Sequence, residues 1–116
     1  MSKRYLVIVT RAPGVGALAR EAIDLLLVAG AFDLDPAVLF TDRGVRHLAA
    51  PPARGGTGAA QPVEALPTYG ITKIYVDAES LRRQRLARES LLLAPTIVEG
   101  DEIGRLIADC DIVLTA

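Results

Sequence analysis

Short apolar runs alternate with helical patterns along this chain. The apolar, largely β-branched runs predict five strands, at residues 5–9, 37–41, 71–76, 96–98 and 112–114. Helical spacing of apolar residues predicts four intervening helices, at residues 17–29, 44–49, 78–86 (extending at most to 93) and 101–108. Continuous apolar strands that alternate with helices are typical of a parallel sheet covered on both faces. The sequence therefore predicts an α/β fold with three layers, α/β/α, and a mostly parallel sheet of about five strands.

The length and composition predict a single domain over residues 1–116. A chain of 116 residues that is 51% hydrophobic can bury one substantial core and is too short for two. One segment departs from the alternating pattern, because residues 51–62 contain three prolines and three glycines and no large apolar side chain. A mobile loop is expected at about 50–62, either solvated or ordered against a partner.

The charge and the cysteine content limit the classes of partner. A net charge of −1 provides no broad basic surface, so neither direct nucleic-acid binding nor membrane binding is expected. The single cysteine excludes an intramolecular disulfide, and the apolar run at residues 5–9 is too short for a signal peptide. No apolar run reaches the ~20 residues that a transmembrane helix needs. The expected location is the cytoplasm.

The predicted helix at residues 17–29 is apolar on almost every side. Its polar residues are Arg20, Glu21 and Asp24. A helix that covers one face of a sheet needs one apolar stripe, so a second stripe indicates a second contact, here expected with another subunit. The positions predicted for that contact are Leu18, Ile23 and Leu27. The alternative is that the end of the helix packs under its own following loop, near Phe32.

The strand at residues 71–76 leads directly into Asp77 and the start of a helix. Functional sites of open α/β sheets lie at the carboxyl ends of strands, where Asp77 is placed. A simpler role is also open, because an N-cap aspartate accepts hydrogen bonds from the backbone amides of Glu79 or Ser80. Four arginines follow in this region, and they predict a solvated face or a surface for an acidic partner: Arg82, Arg83, Arg85 and Arg88.

A glycine motif follows the first strand, from Gly14 to Ala19, and fits the G-x-G-x-x-A pattern of dinucleotide-binding turns. The match is weak, because Arg11, Ala12 and Pro13 separate the strand from the first glycine. The motif could instead be a turn into the helix whose free amides accept an anion. Together with the strand ends it defines a candidate crevice, lined by Arg11, Gly14, Gly16, Asp42, Asp77 and Ser80.

The remaining reactive side chains do not assemble into a predicted catalytic or metal site. Cys110 lies between Asp109 and Asp111, whose carboxylates oppose thiolate formation, at the amino end of the last predicted strand. We therefore interpret Cys110 as structural. His47 is the only histidine, which excludes a multi-histidine metal site within one chain, and it is expected on a short surface helix. No catalytic residue, metal or cofactor is predicted.

Four segments, in this order, resemble the TusC/DsrF branch of the DsrE/DsrF sulfur-relay family. They are Thr10-Arg11-Ala12-Pro13-Gly14, Ala19-Arg20-Glu21-Ala22, the segment Val38-Leu39-Phe40-Thr41-Asp42-Arg43-Gly44-Val45, and Ile74-Tyr75-Val76-Asp77-Ala78-Glu79-Ser80-Leu81. No single segment is diagnostic, but the collinear set spans nearly the whole chain.

The resemblance implies a non-catalytic subunit of a hetero-oligomer that passes persulfide sulfur between cysteines. The implied siblings are TusD/DsrE-like and TusB/DsrH-like chains, with a TusE/DsrC-like protein as a further acceptor. Sulfur would go to tRNA 2-thiouridine or into oxidative sulfur metabolism. The family's sulfur-acceptor cysteine would align with Asp77, so this chain would rely on a sibling for that cysteine. The alternative is a small-ligand or nucleotide-binding α/β domain that forms a homo-oligomer.

Overall fold

The computed structural model describes residues 3–50 and 62–116, which form five parallel strands and three α-helices. The strands are β1 (Tyr5–Val9), β2 (Ala37–Phe40), β3 (Lys73–Asp77), β4 (Thr96–Val98) and β5 (Ile112–Thr115). The α-helices are α1 (Leu18–Ala31), α2 (Ala78–Arg83) and α3 (Gly100–Ala108). Short 3-10 helices cover Asp42–Leu48, Pro62–Ala65, Pro67–Tyr69 and Arg88–Ser90. The predicted loop at about 50–62 falls almost entirely outside the described residues.

The sheet has the order β4-β3-β2-β1-β5, and every neighbouring pair is parallel. The chain therefore moves outward from β1 to β4 and then crosses to the other side of β1. Right-handed crossovers in opposite directions place helices on opposite faces. Helices α1 and α2 cover one face, named here the α1 face, and α3 covers the other, named the α3 face. The predicted three-layer α/β/α fold is confirmed.

Two clusters of apolar side chains form the core, one on each face. Alternate strand residues point to opposite faces, so β1 sends Val7 and Val9 to the α1 face and Leu6 to the α3 face. The α1 face holds the larger cluster, centred on Phe40, Val38, Leu26 and Ile23. The smaller cluster contains Leu6, Ala37, Leu39 and Val98, against which Ile103 and Leu106 of α3 pack.

Two helix ends differ from the sequence prediction for the same physical reason. The predicted helix at 78–86 ends at Arg83, where Leu86 N donates to Leu81 O (3.0 Å) and Arg85 N to Arg82 O (3.2 Å). These bonds form a Schellman motif, and Arg85 supplies its left-handed residue with φ 55°. Helix α1 extends past the predicted residue 29 to Ala31 and ends in the same motif, with Asp33 at φ 58°. Neither end carries the glycine that would reveal it in the sequence.

Candidate functional site

Asp77 is the N-cap of α2, and its carboxylate is occupied by hydrogen bonds. One oxygen, Oδ1, accepts from the backbone amide of Glu79 (3.3 Å). The other, Oδ2, accepts from both the amide (3.2 Å) and the hydroxyl (2.5 Å) of Ser80. This matches the simpler role considered for Asp77, since capping satisfies amides that have no partner within the helix. Both oxygens of the side chain at this strand end are therefore committed to holding the start of α2.

Ser80 links this cap to the end of the neighbouring strand. Its side chain is 1% exposed, and its hydroxyl accepts a hydrogen bond from the backbone amide of Asp42 (2.7 Å) while donating to Asp77. Asp42 has φ 50°, a conformation that aspartate tolerates better than most residues. Three of the six predicted crevice residues, Asp42, Asp77 and Ser80, thus form one connected hydrogen-bond network at the ends of β2 and β3.

Gly44 packs against the end of β1 at very short range. Its amide donates to Thr10 O (3.1 Å), and a Cβ added at this position would lie 1.9 Å from Val9 O. Only glycine fits so close to a backbone carbonyl. Thr41 N also donates to Val9 O (3.0 Å), so the Asp42–Leu48 segment is fixed to both β1 and α2. The sequence analysis did not single out Gly44.

His47 is buried, in contrast to its predicted place on a surface helix. It is on a short helix, as expected, but its side chain is 5% exposed, its ring lies 6.1 Å from that of Phe40, and Nε2 is 2.9 Å from Arg11 O. Burial lowers the pKa of His47 below its ordinary value, although the hydrogen bond to Arg11 opposes this shift. The apolar neighbours Val45 and Leu48, one turn of the segment apart, were the available signal that this helix is buried on one side.

Two of the other predicted crevice residues, Gly14 and Gly16, line a separate cavity beside His47. This cavity has a volume of about 450 Å³ and is bounded in part by Gly14, Gly16, Arg20 and His47. Both glycines have positive φ, 80° and 65°, so the loop turns through conformations that favour glycine before α1 begins at Leu18. This loop separates the glycines from β1, as the spacing indicated. Arg11 contacts His47 through its backbone carbonyl oxygen, whereas its side chain is exposed.

Cys110 lies at the opposite end of the sheet from Asp77. It sits between the end of α3 and the start of β5, at the amino ends of the strands. A strand rises about 3.3 Å per residue, so roughly 15 Å or more along the strand direction separates the thiol from the level of Asp77. Burial raises the pKa of the Cys110 thiol, and the charge of Asp109 adds to the effect, whereas Arg4 opposes it. The raised pKa disfavours the reactive thiolate form of Cys110.

Helix α1 exposes an apolar stripe, and strand β5 exposes an apolar side chain on the same face of the sheet. The exposed fractions are 42% for Leu18, 48% for Leu25, 53% for Val28, 74% for Phe32 and 47% for Leu114. Leu114 of β5 pairs with Val7 and therefore lies on the α1 face. The other side of α1 contacts the chain before β3, where a Cβ on Gly30 would lie 2.4 Å from Tyr69 O. These five exposed side chains are named here the α1/β5 surface.

The exposed positions of α1 differ from the positions predicted for a second contact of this helix. Ile23 is fully buried in the core of its own chain and is therefore not an exposed contact residue. Leu27 is half-buried and packs against the same core. Leu18 alone of the three belongs to the exposed stripe. The error arose because apolar periodicity does not give the direction in which the sheet lies, so Ile23 was assigned to the wrong side of the helix. The subunit contact itself stays a prediction.

The described part of the chain shows no arrangement for a metal ion or a membrane span. Within residues 3–50 and 62–116, no group of three or more His, Cys, Asp or Glu side chains could hold a metal ion. None of the helices in these residues is long and apolar enough to cross a bilayer.

Comparison with known proteins identifies the family. A family model described as the DsrE/DsrF-like family matches residues 3–116. The chain is 38% identical to the TusC homolog of Pseudomonas aeruginosa, over 99% of both chains. It is 30% identical to TusC of Escherichia coli, covering 97% of this chain and 98% of that one. It is also 32% identical to the intracellular sulfur oxidation protein DsrF of Allochromatium vinosum, covering 78% of this chain and 68% of DsrF.

A solved structure supports the same assignment at the level of the fold. The YchN protein of Escherichia coli superimposes with a TM-score of 0.78 over 100% of both chains, at 15% sequence identity. The chain therefore belongs to the DsrE/DsrF-like family. Within this sulfur-relay family it is TusC/DsrF-like, as the sequence relatives show.

Proposed function

We propose that this chain is a non-catalytic structural subunit of a cytoplasmic sulfur-relay complex of the TusBCD or DsrEFH type. Its partners would be TusD/DsrE-like and TusB/DsrH-like siblings, and the complex would deliver sulfur to a TusE/DsrC-like acceptor. The pathway would be either tRNA 2-thiouridine synthesis or oxidative sulfur metabolism. The relatives named TusC and DsrF support this assignment through identity along most of the chain.

The proposal rests on the side chain at the carboxyl end of β3, which caps helix α2 and is not a cysteine. The family resemblance places a sulfur-acceptor cysteine at this position in the catalytic sibling. Here Asp77 stands in its place and accepts three hydrogen bonds from Glu79 and Ser80. A carboxylate does not form a persulfide, and the chain's thiol is at the other end of the sheet with a raised pKa. Both ends thus lack a reactive sulfur nucleophile, and a role in binding and shaping a sibling remains.

The α1/β5 surface supplies the physical reason for assembly. Fully burying a large apolar side chain contributes about 1.5 to 3 kcal/mol, so the five exposed side chains of this surface, four aliphatic and one aromatic, favour association. Among the described residues, strand β5 also ends the sheet and has no strand paired to its outer edge, and proteins normally cover or protect such edges. A sibling subunit seated beside α1 would cover both features. This surface replaces the set Leu18, Ile23 and Leu27 as the proposed contact.

Reconstitution tests the proposal. The wild-type chain, mixed with its TusD/DsrE-like and TusB/DsrH-like siblings, should form a defined hetero-oligomer in analytical ultracentrifugation. Leu25→Glu combined with Phe32→Glu should prevent it. The control is Ala31→Glu, which adds one charge to an exposed position of the same helix outside the α1/β5 surface. A wild-type chain that stays monomeric with both siblings present would contradict the proposal.

The alternative of a small-ligand or nucleotide-binding homo-oligomer rests on one feature, the cavity beside Gly14, Gly16 and His47. Native mass spectrometry of the freshly purified chain separates the two proposals. A stoichiometric bound nucleotide in a self-associated chain would favour the alternative, whereas co-purified sibling chains favour the relay subunit.

A further inference from the structure

We propose that the outer surface of α2 and the adjoining 3-10 helices binds an acidic protein surface, and that arginine guanidinium groups provide the recognition. The residues are Arg43 and Arg46 from the Asp42–Leu48 segment, Arg83 and Arg85 at the end of α2, and Arg88 in the following turn, named here the arginine surface. All five side chains are exposed. This inference rests on the proposed function, because it assigns a second docking surface to a relay subunit.

Three backbone and side-chain contacts make the arginine surface continuous. Arg46 Nε donates to Gln84 Oε1 (2.9 Å), which joins the Asp42–Leu48 segment to the end of α2. Leu92 N donates to Leu48 O (2.8 Å), and Ala49 forms an isolated antiparallel bridge with Leu91. The segment that carries Arg88 therefore lies beside the one that carries Arg43 and Arg46. Arginines distant in sequence are in this way gathered on one side of the molecule.

Four of the five arginines of this surface are not neutralised by an ion pair within the described residues. Elsewhere in these residues, Arg20 pairs with Asp24, Lys73 with Asp35 and Arg105 with Asp101. Lys3, Arg4 and Arg11 also form no ion pair there, but they lie in other segments of the chain. Within the arginine surface Arg83 is paired, with Glu79. The other members form no ion pair within the described part of the chain. The same segments contain three carboxylates, Asp42, Glu79 and Glu89, against the five arginines of the surface. A chain of net charge −1 thus carries a local excess of positive charge, the condition that attracts an acidic partner.

The neighbours of the arginines favour a protein partner over a nucleic acid. Half-buried leucines border the surface, namely Leu86, Leu91 and Leu92. The exposed aromatic side chains of the described residues, Phe32 and Tyr69, lie on α1 and before β3 instead. A single-stranded nucleic acid would use aromatic platforms among the cations. A partner protein with carboxylates flanked by apolar side chains would instead fit this surface, because its carboxylates would pair with the guanidinium groups and its apolar side chains would contact the leucines.

The test variant reverses two charges, Arg43→Glu with Arg88→Glu. Neither side chain has a partner among the described residues, and neither residue has a positive φ. The control, Arg4→Glu with Arg105→Glu, makes the same net-charge change near β1's amino end and on α3. The immobilised chains are probed with purified TusD/DsrE-like, TusB/DsrH-like and TusE/DsrC-like proteins and with total tRNA, at 50 and 500 mM NaCl. Thermal melts confirm that all variants are folded.

We expect the Arg43/Arg88 variant to bind at least one of the three proteins about tenfold more weakly at 50 mM NaCl, because rim charges act mainly through screened long-range attraction. The difference should shrink to about twofold at 500 mM, and the control should match wild type. Unchanged binding to all three proteins, or a loss confined to tRNA, would overturn the inference while leaving the proposed function intact. If wild type binds none of the three proteins, the proposed function fails and this inference fails with it.

Discussion

The two ends of the sheet carry the side chains that could do chemistry, and they are built in opposite ways. At the carboxyl end, Asp77, Ser80 and Asp42 form a tight network beside the close-packed Gly44. At the amino end, Cys110 sits in a turn and makes no side-chain hydrogen bond within the described residues. The first end is held by hydrogen bonds and has no thiol, whereas the second has a thiol without an activating group. The thiol of this chain therefore lies away from the strand ends at which sites of open α/β sheets are built.

The largest expected effect concerns the packing of the carboxyl end. Gly44→Ala should destabilise the chain by about 3 kcal/mol or more, because the new Cβ would lie 1.9 Å from Val9 O and must displace backbone. Gly104→Ala, in the interior of α3 with nothing within 4 Å of the added Cβ, is the control. It should stabilise by about 0.5 to 1 kcal/mol. Urea denaturation measures both, and equal effects would show that the close approach is absent.

Removal of the cap should cost less. Asp77→Ala should lower the free energy of unfolding by about 0.5 to 2 kcal/mol, because the amides of Glu79 and Ser80 lose their acceptor. Asp77→Asn keeps a good N-cap and should be close to wild type. Sulfur transfer through the reconstituted complex should survive wherever the complex assembles. If transfer were lost in a variant with unchanged stability and assembly, Asp77 would have a direct functional role.

The pH dependence of stability tests the burial of His47. The folded state lowers the pKa of this imidazole, so the unfolded chain takes up a proton more readily. The free energy that the neutral His47 contributes to stability should therefore be fully present above the unfolded pKa of about 6.5. It should be lost progressively as the pH falls below that value. Denaturation midpoints between pH 5 and 8 measure this, with His47→Gln as the non-titrating control. An identical decrease in the variant would assign the effect to other groups.

The smallest effect is expected at the amino end. Cys110→Ser should change stability by about 1 kcal/mol or less, because the side chain is only half-buried. Incubation of wild type with a cysteine desulfurase and cysteine should leave the thiol unmodified, since its raised pKa disfavours the reactive thiolate. Intact mass spectrometry reports the result. A stoichiometric added sulfur on Cys110 would remove the basis for a non-catalytic role and would reverse the contrast between the two ends.

Local patterns in the sequence were sufficient for the strands and for the cap. All five strands lie within two residues of their predicted bounds, because continuous apolar runs report burial on both faces without further context. Asp77 was recognisable as an N-cap because capping depends on residues only two and three positions away. Cys110 was placed correctly in the turn before β5 for the same local reason.

Other features were not marked by a local pattern in the sequence, and several depended on contacts between distant segments. The helix ends at Ala31 and Arg83 use Asp33 and Arg85 in conformations usually held by glycine. Gly44 and His47 acquire their roles from Val9 and Arg11, more than thirty residues away. Arg43 and Arg46 join the other three arginines of the arginine surface only through contacts between distant segments, such as that of Arg46 with Gln84.

Helix α1 shows which of its properties the sequence determines and which depend on the tertiary structure. Composition and periodicity by themselves determined that this helix has more apolar surface than one sheet face can cover. They did not determine the direction of the sheet, so Ile23 was assigned to the wrong side. The packing of Gly30 against Tyr69 fixes the rotation of the helix. That rotation buries Ile23 and leaves Leu25, Val28 and Phe32 exposed, because a helix position faces core or solvent only relative to its neighbours.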